Sequence, residues 1–108
     1  MNRKSGYGKL VRDRIPQIIR EKGAEPVTYV ASPDEYRNRL RDKLGEEVTE
    51  FLAADDANAP EELADVLEVL HALAAVLGVD AGQLEKIREA KASERGGFAN
   101  RIVWTGNR

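Results

Sequence analysis

Cysteine is missing from all 108 residues, and histidine and tryptophan occur once each, as His71 and Trp104. The first absence excludes disulfides, thiolate zinc sites and a cysteine nucleophile together. A lone histidine argues against a catalytic triad. Long hydrophobic runs are missing too: the longest, around Leu70 to Leu77, is broken by His71 and is too short to span a bilayer. No signal peptide precedes the first charged residues, so the expectation is a soluble, cytoplasmic protein with no membrane partner. Neither sign of charge dominates. Seventeen Lys and Arg against 19 Asp and Glu leave a net charge of −2, which makes no demand for polymeric nucleic acid.

What is present is an ordinary globular composition, 42% apolar and 33% charged, and a length that suits a single domain over residues 1–108. Its acidic residues are not scattered evenly. Glu47 with Glu50, and Glu62 with Asp65, form two pairs at i, i+3 spacing, separated by a break at Asp55 to Pro60. On a helix each pair projects from one side, with Cβ atoms roughly 5 to 6 Å apart. Two such helices folded back on each other bring four carboxylates together.

A helical wheel separates this pattern from a solvated acidic face. From Asp34 to Ala54 the apolar stripe is Tyr36, Leu40, Leu44, Val48, Phe51 and Leu52, and Glu47 falls inside it, between Tyr36 and Leu40, with Glu50 at its edge. The second stripe is Leu63, Val66, Leu67, Leu70, Leu73, Ala74 and Leu77; Glu62 borders it and Asp65 lies one step further out. A buried carboxylate needs a partner, a proton or a metal, and a cluster of them favours a divalent cation that offsets the mutual repulsion. The competing reading is a surface of ordinary ion pairs, for which Lys43, four residues before Glu47, is a ready partner.

The remaining chain supplies helix punctuation. Asp13 and Pro16 suit the start of a helix that carries Ile15, Ile18 and Ile19 inward and stops at Gly23. Ser32-Pro33-Asp34-Glu35 reads as an N-cap, a first-turn proline and a capping box for the first carboxylate helix. Gly45 lies inside that helix at a cost of about 1 kcal/mol relative to alanine. Asn58, Ala59 and Pro60 open the second carboxylate helix, which ends at Gly78, and Asp80 with Gln83 caps a last helix running to about Arg95. Val27 to Val30 and Arg101 to Thr105 have β-rich composition, and the expectation is a minor two-stranded pairing between them. Lys9, Arg12 and Arg14 form one basic cluster and Lys91 with Arg95 another; each reads either as solvated surface or as an anion contact.

At these residues the chain resembles a known family. Glu47-Val-Thr-Glu50 and Glu62-Leu-Ala-Asp65 resemble the E-x-x-E and E-x-x-D motifs of the MazG-like all-α nucleoside triphosphate pyrophosphohydrolases. Tyr7 to Asp13 and Arg95-Gly-Gly-Phe98 resemble the small phosphoribosyl-ATP pyrophosphohydrolase-like branch. Two departures accompany the match: the linker from Phe51 to Glu61 is short, and Gly45 stands where a larger apolar residue is more usual.

The resemblance implies Mg²⁺ held by Glu47, Glu50, Glu62 and Asp65, hydrolysis between the α- and β-phosphates, and a homodimer or higher homo-oligomer. Glu47 and Glu50 are then the catalytic candidates, with Glu50 favoured to orient the attacking water. Lys9, Arg12, Arg14, Lys91 and Arg95 are candidate phosphate contacts, and Tyr7, Phe98 and Trp104 candidate base contacts. The fold expected is an all-α bundle of about four helices. The substrate expected is a nucleotide: a nucleoside triphosphate, possible non-canonical ones included, or phosphoribosyl-ATP. The rival function is a non-catalytic helical module that binds a nucleotide or protein.

Overall fold

The computed structural model describes residues 8–108 and contains four helices. They are α1 (Ile15–Glu21), α2 (Pro33–Ala53), α3 (Ala59–Val76) and α4 (Ala81–Arg95). The α2–α3 hairpin is the centre of the molecule; α4 packs on α3 alone. Helix α1 makes no comparable packing, and it is the segment before it, Leu10 to Asp13, that lies against α2 and α3.

The helix ends follow local chemistry. Ser32 Oγ accepts from the Glu35 backbone N–H at 3.2 Å, and Pro33 takes the first turn, where its missing N–H costs nothing. The Glu35 carboxylate, expected to complete a capping box, instead bonds Arg39 at 2.7 Å and the Tyr29 hydroxyl. The box expected on α4 is complete: Asp80 accepts from the Gln83 backbone at 2.8 Å and Gln83 accepts from the Asp80 backbone at 2.9 Å. Gly23 (φ +97°) and Gly78 (φ +80°) each follow a helix in the left-handed conformation. Behind Gly78, Val79 N–H reaches Ala74 O at 2.8 Å and Gly78 N–H reaches Ala75 O at 3.0 Å, closing the carbonyls that the end of α3 leaves open. At the other end of the hairpin, Asp55 accepts from the backbone and side chain of Asn58 at 3.0 and 2.9 Å, which folds α2 back into α3 within residues 54–58.

Three further expectations need correction. Among the described residues there is no strand: Val27 and Val30 are almost fully exposed, as are Ile102 and Val103. Arg101 has φ +58° in a turn closed by its N–H on Phe98 O, so the second segment starts bent, and Trp104 Nε1 donates to its own chain at Gly106 and Asn107. A two-stranded ribbon needs a surface to lie on, and neither segment has one here. Second, the first residue before α1 is Arg14 without a side-chain cap, and Asp13 does not cap that helix. Third, Ile18 is exposed rather than turned inward.

The core is thin. Leu40, Val69 and Ala74 are the buried apolar residues among those described, while Leu52, Leu63, Leu67 and Leu70 remain open on the carboxylate helices, as does Leu77 just after α3. Principal extents of 61 × 34 × 27 Å and a radius of gyration of 18.1 Å fit an open hairpin; a compact chain of this length has about 13 Å. Gly45 is part of this openness: a Cβ placed there meets nothing within 4 Å. Gly45→Ala should therefore raise stability by about 1 kcal/mol in chemical denaturation. A loss of stability instead would mean that another surface lies against this position.

Candidate metal and phosphate site

Helix α2 carries buried Glu47 flanked by exposed Glu46 and Glu50 in its carboxyl half, and α3 carries Glu61 and Glu62 in its first turn with Asp65 one turn on. The amino end of α3 carries the positive end of the helix dipole, which makes its first turn a favourable place for these acids. The hairpin turn then sets them against α2. Carboxylate oxygens of Glu47, Glu62 and Asp65 all lie within 4.8 Å of one another, and Glu46, Glu47 and Glu50 form an overlapping group at the same limit.

Glu47 is the pivot of both groups. It is 8% exposed, as its place within the apolar stripe requires, and Lys43 Nζ lies 3.6 Å from its Oε2 and 3.0 Å from Glu46 Oε1. Burial alone would lower the Lys43 pKa, but the hydrogen bond to Glu46 and the charges of Glu46 and Glu47 outweigh it and hold the ammonium above its ordinary range. One lysine cannot satisfy the whole cluster. Glu62 Oε1 is buried with no hydrogen-bond partner, and burial raises the Glu62 pKa, with the charges of Glu50, Asp65, Glu47 and Glu61 pushing the same way. An orphaned buried carboxylate oxygen beside two more carboxylates is a hard-oxygen donor set, so Glu47, Glu62 and Asp65 fit a divalent cation such as Mg²⁺.

Beside the cluster lies a cleft of about 230 Å³. Leu10 to Asp13 form one wall, with Tyr36, Leu40 and Lys43 on α2 and Asp65, Val69 and Ala72 on α3 opposite. Arg12 crosses it to reach Asp65, Nη2 to Oδ1, at 2.8 Å. Among the described residues, none of the other basic candidates forms an ion pair with the cluster. Arg14 precedes α1, Lys9 is exposed, and Lys91 and Arg95 lie on α4, where Arg95 pairs with Glu94 at 3.5 Å and not with the cluster. Of the aromatic candidates, Phe98 and Trp104 are exposed, and Tyr7 lies outside the described residues. Sequence reasoning missed Glu46 as a member of the cluster, although its i, i+4 relation to Glu50 carried the signal. It also missed Tyr36 as a cleft wall, since an aromatic in an apolar stripe reads as core.

Residues 11–92 match the family model described as phosphoribosyl-ATP pyrophosphohydrolase, a span that includes both carboxylate pairs. The chain belongs to that family. Through it the chain belongs to the MazG-like all-α superfamily, and four helices without a strand among the described residues agree with that fold. Among curated proteins it is similar to an uncharacterized protein of Mycolicibacterium smegmatis, with 53% identity over 51 residues, covering 47% of this chain and 52% of the relative. The chain thus spans about half the length of that relative. No solved structure matches. No helix among the described residues is long and apolar enough to cross a membrane.

The raised Glu62 pKa has a signed consequence. The folded chain keeps this proton where the unfolded chain has released it, so without a divalent cation stability falls as pH climbs from the ordinary carboxylate value through the raised one. Glu62→Gln should remove that slope and raise the melting temperature at neutral pH in the presence of chelator. Thermal melts from about pH 4 to about pH 7 would show it; an unchanged slope would place the burden on another carboxylate.

Proposed function

We propose that this chain is a Mg²⁺-dependent nucleotide pyrophosphohydrolase that cleaves between the α- and β-phosphates of a nucleoside triphosphate, releasing a monophosphate and pyrophosphate. The observation that supports it most is the meeting of Glu47, Glu62 and Asp65 within 4.8 Å across two helices, with a buried Glu62 oxygen left unpartnered. Bound there, Mg²⁺ would activate water and neutralise charge that develops on the phosphate oxygens. Glu47, buried and held by Lys43, would serve as a fixed ligand. Glu50 is exposed in the overlapping group that Glu47 shares with Glu46, and its carboxylate can orient the attacking water and take its proton. Water adds to the α-phosphorus, the bridging P–O bond breaks, and pyrophosphate leaves.

The family description favours a second substrate, phosphoribosyl-ATP, which requires the same cleavage. Pyrophosphate release from ribo-, deoxyribo- and oxidised nucleoside triphosphates and from phosphoribosyl-ATP, with and without Mg²⁺, decides between them. Glu47→Gln should lower the rate by about a hundredfold or more, the scale on which single electrostatic groups in active sites act. No release from any of these by the folded protein would favour a non-catalytic binding module.

The open leucine face supports a homodimer as the working form. Leu63, Leu67 and Leu70 on α3 and Leu77 just after it are each more than a third exposed, an apolar area that a second copy of the hairpin would cover. Sedimentation should show at least a dimer, and Leu67→Lys should shift it toward monomer. A wild-type monomer at all concentrations would exclude this assembly.

A further inference from the structure

The Arg12–Asp65 pair places a guanidinium on one of the three carboxylates that face one another. Arg12 Nη2 lies 2.8 Å from Asp65 Oδ1, and Asp65 shares the 4.8 Å group with Glu47 and Glu62. A guanidinium on Asp65 and a divalent cation held by the same group repel each other and draw on the same negative charge. We propose that Arg12 is a built-in competitor of the divalent cation for Asp65, a positioning residue that sets how tightly the site holds its ion. The inference rests on the proposed cation site.

Geometry supports release of this side chain without loss of its segment. The backbone at Arg12 is fixed by a turn in which Ile15 N–H donates to Arg12 O at 3.0 Å. Further back, Arg39 Nη1 donates to Gly8 O at 3.1 Å, and Leu10 and Val11 face the cleft opposite Leu40 and Val69. The segment is therefore held on the hairpin by contacts other than the ion pair. The side chains of Arg12 and Asp65 are 57% and 41% exposed, so the pair is hydrated and exchange carries a low desolvation cost. The same pairing relieves carboxylate repulsion when no cation is bound, a task that Lys43 performs for Glu46 and Glu47 on the other side.

The test is calorimetric titration of the full chain with Mn²⁺ alone, comparing wild type, Arg12→Gln and Arg12→Lys, with Glu62→Gln as the control that removes a ligand. Arg12→Gln should tighten Mn²⁺ binding by about threefold to tenfold, and Arg12→Lys, which keeps the charge, should stay near wild type. Thermal melts supply a second readout. Arg12→Gln should melt below wild type in chelator, and saturating Mn²⁺ should close the gap. Unchanged or weaker Mn²⁺ binding in Arg12→Gln overturns the inference and leaves the cation site standing. If wild type binds no Mn²⁺, both readings fall.

Discussion

Repulsion among carboxylates is the constraint on which the hairpin depends. Glu47 is buried in the α2 stripe, and the turn at Asp55 to Asn58 brings Glu62 and Asp65 to meet it. Apolar burial elsewhere is slight, so the chain has little surplus with which to hold such a cluster together. It is held by cations from both sides, Lys43 from within α2 and Arg12 from the segment ahead of α1. Glu62 is where this compensation ends: one of its oxygens is buried without a partner. A buried polar atom left unsatisfied among other carboxylates is a place that a bound cation would satisfy.

The second constraint is the exposed leucine face. A hairpin of two amphipathic helices with a third, α4, packed on one of them covers only part of its own apolar surface. The same two helices carry the acidic cluster and the open leucines, so the surface proposed for self-association and the proposed site belong to the same hairpin. Anything that seats a second copy on α3 also fixes the angle at which Glu62 and Asp65 face Glu47. Cleavage of a phosphoric anhydride, the chemistry proposed for this chain, needs charge placed at fixed points more than it needs a deep core.

Much of this could be read from residues. Helix boundaries at Ser32, Asp80, Gly23 and Gly78 follow from capping and left-handed backbone conformations, which depend on only a few neighbouring residues. The burial of Glu47 was legible too, since its angle on the wheel puts it among Tyr36 and Leu40 whatever the rest of the chain does. The extended segments were misread because β-rich composition describes what a segment suits, while pairing depends on a surface elsewhere. Val27 to Val30 and Ile102 to Trp104 have no such surface.

The sequence by itself determined the all-α class, the two carboxylate pairs and the helices that carry them, because these depend on 3.6-residue periodicity and on local hydrogen bonds. Tertiary structure alone decided which charges meet. Arg12 and Asp65 are 53 positions apart, and nothing in either local pattern selects that pair over Lys9, Arg14, Lys91 or Arg95. Long-range ion pairing is set by how the helices and the leading segment pack, a choice made by the whole chain's burial and turn geometry rather than by the charges themselves.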